Sequence, residues 1–176
     1  MRPTGAAVIL VLLASAAAGD QGTAAGIQWT APASWKSQPA RSMRAATYAI
    51  PAATGAEAGE CGVFHFGQGQ GGSVEENLTR WEQQFEAAQP PKKREKTVHG
   101  LRVHTLDVSG TYLASGGPMM QSHEKKPGYR LLGAIVEAPG GLVFFKCTGP
   151  AATIGKAQAD FDSLIGSLAK SPAAKL

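Results

Sequence analysis

Apolar and polar positions along the chain change period several times, and the changes divide it into elements. Val74, Leu78, Trp81, Phe85 and Ala88 recur at steps of four, three, four and three, with Glu75, Glu76, Arg80, Glu82, Gln83 and Glu86 between them. That spacing predicts an amphipathic helix. Ser73 followed by Glu76 is a capping-box start, and Pro90 with Pro91 sets the stop. A second stripe, Ile154, Ala157, Phe161, Leu164, Ile165 and Leu168, predicts a last helix with Asp160, Asp162 and Lys170 outside it. Strand signals lie elsewhere. Ile27 to Trp35 holds two tryptophans around Pro32 and reads as an extended opening segment. Met43 to Ile50 and Gly62 to Phe66 read as an antiparallel pair joined by Pro51 to Gly59. Thr97 and Val98 lead through a turn at His99 and Gly100 into a long strand, Leu101 to Tyr112. Its apolar phase shifts between Val103 and Leu106, which a bulge or burial on both faces explains. Tyr129 to Ala138 and Leu142 to Thr148, joined at Pro139 to Gly141, form the strongest hairpin. Gly19 to Gly26 reads as a linker, Ser115 to Gly128 as a long loop and residues 171–176 as a disordered tail. Strands, a helix, more strands and a final helix predict an α+β domain over residues 27–170, with helices packed on a single antiparallel β-sheet.

The first eighteen residues stand apart. Arg2, the apolar run Ala6 to Ala14 and the small residues Ala16 to Ala18 are the three parts of a secretory signal peptide. Export to a periplasmic or extracellular space is therefore expected, with residues 1–18 removed. The apolar stretch is shorter than the roughly 20 residues a membrane-spanning helix needs. A lipid anchor would require a cysteine just after it, and the first cysteine is Cys61. Of the 176 residues, 34 are Leu, Ile, Val or Phe, and six of these fall in Val8 to Leu13. The 28 that remain fill one small domain rather than two. With a formal net charge of only +4, the chain lacks the charge excess of a disordered one. All twelve aromatic residues lie in the exported part and supplement its branched aliphatics.

An exported protein meets an oxidising compartment, where Cys61 and Cys147 can pair if their strands bring the Cβ atoms within about 4 Å. Two separate buried thiols are the other reading, and spacing does not choose between them. No close cysteine pair points to zinc or redox chemistry.

Several segments are familiar in combination: Trp29, Pro32 and Trp35; the glycine turn before Ser73 to Trp81; Gly110 to Tyr112; and Phe144 to Pro150 before the last helix. Together they resemble the PsbP-like sandwich superfamily, which includes thylakoid-lumen photosystem subunits and many exported bacterial proteins without a known role. The resemblance implies an α/β/α sandwich that serves as an accessory or binding module. It carries over no functional residue, since the metal-related and photosystem-docking segments of the plant proteins have no match here.

Candidate chemistry is sparse. Gly67 to Gly72 fits G-x-G-x-x-G between a strand and a helix, but about twenty residues on, where a ribose-binding acid belongs, stand Pro90, Pro91 and basic residues. What survives is a small-anion site at Gly69, Gly71, Gly72 and Ser73, where backbone amides open the helix. Gly149 to Lys156 fails the phosphate-loop spacing. Lys92, Lys93, Arg94 and Lys96, joined by Lys125 and Lys126, form a basic patch suited to an anionic lipid, a polysaccharide or an acidic protein, or else a solvated loop. Met119, Met120 and His123 have the soft donors that suit Cu(I), or cover apolar surface as a loop. Ser109 and Ser115 lack a nucleophile elbow. Asn77 and Thr79 match a glycosylation acceptor, but inside the first helix.

No complete catalytic, cofactor or metal motif emerges. The expectation is an exported, non-catalytic binding or accessory module without a cofactor, whose partner is a protein or component of the cell envelope rather than nucleic acid. The alternative is a small exported enzyme, a hydrolase or an anion-dependent one, built on the glycine turn with His65 and His104.

Overall fold

The computed structural model describes residues 19–86, 88–114 and 124–172. The signal segment and the Met119, Met120 and His123 group lie outside them. In chain order the elements are β1 (Gln21–Ala24), β2 (Ile27–Thr30), β3 (Lys36–Ser37), β4 (Ala46–Ile50), β5 (Gly59–His65), α1 (Val74–Glu82), β6 (Phe85–Glu86) and β7 (Lys92–Val98). They continue with β8 (Leu101–Ala114), β9 (Glu124–Ala138), β10 (Gly141–Pro150), α2 (Ala151–Lys156), α3 (Gln158–Gly166) and β11 (Ala169–Lys170).

Two sheets form instead of the expected one. The larger has the order β3-β4-β5-β10-β9-β8-β6, with β7 also paired to β8; the smaller is β1-β2-β11. All pairings are antiparallel. The second sheet exists because Gly19 to Gly26 is not a linker. Ala25 and Gly26, both with positive φ, close a two-residue hairpin between β1 and β2. Gly22 on β1 leaves room for an indole, since a Cβ there would lie 2.5 Å from Nε1 of Trp29. Trp29 in turn donates from Nε1 to the Tyr48 hydroxyl at 2.9 Å and meets the Phe145 ring edge-on at 5.2 Å. One tryptophan thus ties the small sheet to the large one.

The large sheet is buried on both faces. Ile27, Trp29, Cys61, Val63, Leu132, Ala134, Val136, Val143, Phe145 and Cys147 join Ile154, Phe161, Leu164 and Ile165 of the α2–α3 layer in one core. Leu78 and Trp81 of α1, with Phe85, Leu106, Leu131, Ile135 and Phe144, make a second core on the opposite face. Fully burying a side chain such as Phe144 or Phe145 contributes about 1.5–3 kcal/mol. The apparent phase shift in β8 follows directly: Leu101 and Val103 point into the first core, Leu106 and Val108 into the second. The irregularity in pairing comes later, between Gly110 and Tyr112.

Both helices are shorter than their stripes. α1 begins at the Ser73 cap but ends at Glu82, because the next residues satisfy their backbone groups at the sheet edge. Leu113 donates to the Gln84 carbonyl at 2.8 Å, Phe85 pairs with Tyr112, and Gln89 donates to Ser109 at 3.0 Å. The second stripe is broken at Ala157 into α2 and α3, while its apolar positions from Ile154 to Leu168 are buried as the spacing predicts. Of the supposed long loop, residues 124–128 belong to β9. No helix among the described residues is long and apolar enough to cross a membrane.

Candidate functional site

The basic run is a strand, not a solvated loop. β7 forms a hairpin with β8 through His99 and Gly100, both with positive φ as a type I′ turn requires. Strand alternation then sorts the four cations onto two faces. Lys93 turns to α1, where its ammonium lies 2.7 Å from Glu82 and 3.3 Å from Glu75. Those carboxylates, Glu82 foremost, hold its pKa above the ordinary lysine value. Lys92, Arg94 and Lys96 point the other way and line a groove of about 460 Å³ between the β7–β8 ribbon and α3. The three make no salt bridge among the described residues. The patch is therefore three residues rather than four.

Leu132 and Phe161 supply the apolar lining of the groove. Its centre is Arg130 of β9, which sequence reasoning missed. Arg130 donates from Nε and Nη2 to the two oxygens of Asp107, both at 2.8 Å, and from Nη2 to Oε1 of Gln158 at 2.5 Å. A bidentate pair of this kind is rigid and neutralises Asp107. Glu95 is engaged by Arg102 and His104. The groove continues past Pro90 and Ser109 into an adjoining depression. What it offers chemically is a row of three cations beside a small apolar floor, with the Asp162 carboxylate on its α3 side, suited to an anion with an apolar part.

The glycine turn is arranged differently from an open anion site. The Glu76 carboxylate accepts from the Ser73 amide at 2.8 Å and from the Ser73 hydroxyl at 2.9 Å, while the Glu76 amide donates to that hydroxyl at 3.2 Å. The helix start already holds its own anion. Hydrogen bonds from Ser73 accordingly hold the Glu76 carboxyl below its ordinary pKa. Asn77, buried, donates to the carbonyls of Gly71 and Ser73 and so fixes the turn rather than presenting a glycosylation acceptor.

The three histidines among the described residues do not converge. His65 bonds the Leu142 carbonyl at 3.1 Å, and His99 the Leu168 carbonyl at 2.8 Å. His104 bonds Glu137 at 2.7 Å. By alternation His65 shares the face of Val63, whereas His104 shares that of Leu106, so the sheet separates them. Cys61 and Cys147 stand directly opposite each other in the β5–β10 pairing and are joined by a disulfide.

A second group escaped the sequence. Lys146, on the α1 face of β10, donates to Oε1 of Gln84 at 2.5 Å and lies 5.7 Å from the centre of the Tyr112 ring. Burial, with a smaller contribution from Arg44, pushes its pKa down to about 8. Burial also raises the Tyr112 phenol above its usual value, and Tyr112 stacks on Tyr129 with ring centres 6.0 Å apart. A lysine next to Phe144, Phe145 and Cys147 carries no local sign that its partners are a glutamine in the turn after α1 and a tyrosine on β8.

No protein-family model matches the chain, and no curated protein matches it in sequence. Solved structures do match its fold. A Pseudomonas aeruginosa protein of unknown function superposes with a TM-score of 0.53 at 14% identity, covering 88% of this chain and 98% of that one. The solution structure of cyanobacterial PsbP from Synechocystis superposes with a TM-score of 0.52 at 12% identity, covering 95% and 98%. At such identities the likeness speaks for architecture alone, and the architecture of this chain is the PsbP-like fold.

Proposed function

We propose that this protein is an exported, non-catalytic binding or accessory module of the cell envelope. The observation that carries the proposal is the groove beside β7: three cations without ionic partners among the described residues, set next to an apolar floor and an immobilised arginine. Such a surface suits recognition of a partner. The signal-like segment before residue 19 and the cysteine bridge support an oxidising destination. The enzyme alternative draws no support from the geometry, because His65, His104 and the glycine turn do not share a cleft. Affinity capture from the envelope fraction of the source cell, using the exported chain as bait, tests the proposal. Reproducible enrichment of one envelope component without turnover is expected. Recovery of the protein only from the cytoplasm, or repeated failure to enrich any component, would overturn it.

A further inference from the structure

We propose that the outer edge of β7 accepts an acidic, extended polypeptide segment as an added β-strand, with carboxylates on alternate residues placed over Lys92, Arg94 and Lys96. This deepens the binding-module proposal and rests on it. Among the described residues β7 pairs only with β8, so one edge of a seven-residue strand keeps its backbone donors and acceptors open to a further strand. Strand addition to such an edge draws affinity from main-chain hydrogen bonds and specificity from alternate side chains.

Charge decides which strand can be added. Lysines on an edge commonly prevent uncontrolled pairing, and a second copy of β7 would set cation against cation across the new ladder. An acidic strand reverses the sign of that interaction. Its alternate side chains repeat at about 6.6–6.8 Å, in step with Lys92, Arg94 and Lys96. The other face of β7 does not read charge in the same way, because Lys93 is held by Glu82 and Glu75, and Glu95 by Arg102 and His104. The unpaired charge of β7 is thus concentrated on the face beside the groove, where Phe161 and Leu132 offer apolar contact to a longer side chain.

The test is calorimetric titration of the exported chain with a nine-residue synthetic peptide alternating glutamate with valine. One-to-one binding is expected, weakened by rising salt. The Lys92→Glu/Arg94→Glu/Lys96→Glu variant should lose about tenfold or more in affinity. Hydrogen exchange should slow at residues 92–98 when the peptide is bound. A neutralising variant, Lys92→Gln/Arg94→Gln/Lys96→Gln, should fall between the two and replaces the charge-reversed one if that fails to fold. Equal binding of a peptide with proline in place of valine, or of a heparin oligosaccharide, would reduce the edge to a charged surface and overturn the proposal. So would a dimer of the protein that the triple substitution abolishes, since a second copy would then occupy the edge. An envelope component captured equally by the wild-type and triple-variant chains would sink the edge proposal and leave the binding module standing. With no component captured by the wild type, the binding module fails, and the peptide titration alone decides the edge.

Discussion

Trp81 occupies the space that a side chain at position 133 would need: a Cβ on Gly133 would come within 2.7 Å of the indole Cε3. This contact seats α1 on the sheet, and the 6.3 Å edge-on approach of Trp81 to Phe144 extends it. Gly133→Ala should therefore lower stability by about 1–3 kcal/mol through overpacking. Trp81→Ala should cost about 3–5 kcal/mol through the cavity it leaves. The two losses should not add, because the small residue at position 81 makes room for the methyl at 133. Urea denaturation of the two single variants and the double variant gives the coupling, and strict additivity would show that the residues do not meet.

The cysteine bridge spans 86 positions, and both residues are buried. Closing so long a loop restricts the unfolded chain by on the order of 4 kcal/mol in the chain-entropy account. Cys61→Ala/Cys147→Ala should lose a large part of that in urea denaturation. A reductant should have little effect on the native protein and a marked effect on its refolding midpoint. Rapid reduction under native conditions would contradict the burial.

Lys146 gives stability an unusual dependence on pH. Its folded pKa of about 8 lies below the ordinary lysine value, so between the two the unfolded chain binds more protons and stability rises with pH. Below pH 8 the full cost of the buried charge is present, roughly 3 kcal/mol from the size of the shift. Above pH 10 the raised Tyr112 and Tyr129 phenols act in the opposite sense, since the fold then resists their ionisation. Lys146→Met should stabilise the protein at pH 7 and flatten the rise between pH 8 and 10. Chemical denaturation across that range reads both effects, and an unchanged slope in the variant would remove Lys146 as the cause.

At the α1 start, Ser73→Ala removes the cap and should cost about 1 kcal/mol. Glu76 has a depressed folded pKa, so its contribution is present above the ordinary carboxylate range and is lost as pH falls through the lowered value. The stability difference between the wild type and Glu76→Ala should therefore shrink in acid. A difference independent of pH would show that the Glu76 carboxylate is not the acceptor.

What could be read from the residues was local. The Ser73 and Glu76 pair, the His99 and Gly100 turn and the β9–β10 hairpin each depend on neighbours a few positions apart, and all three formed as spacing predicts. The β1–β2 hairpin was invisible because Gln21, Gly22, Thr23 and Ala24 have little apolar character; they form a strand because Gly22 fits under Trp29. The end of α1 was hidden because Phe85 satisfies the helical step and is buried in the same core as a strand residue. At the groove, the charges of β7 were legible, but the turning of Lys93 toward α1 depends on which edge of β8 the strand joins. The role of Arg130 depends on Asp107 and Gln158, 23 and 28 positions away, and no spacing rule connects such residues.

The bond between Cys61 and Cys147 also makes the molecule a covalent ring with two open arms. The ring, residues 61–147, contains α1 and the strands from β6 to β9, while the arms carry β1 to β4 on one side and α2, α3 and β11 on the other. A single cut inside the ring leaves one linked body that migrates on a gel as fragments only after reduction, whereas a cut in an arm frees a peptide at once. The groove straddles this division, with its cations on the ring and its α3 wall on an arm. Proteolytic loss of the C-terminal arm would take away Phe161 and the α3 wall and leave Lys92, Arg94 and Lys96 on the ring, so the cations of the recognition surface and its α3 wall belong to separable parts of the chain.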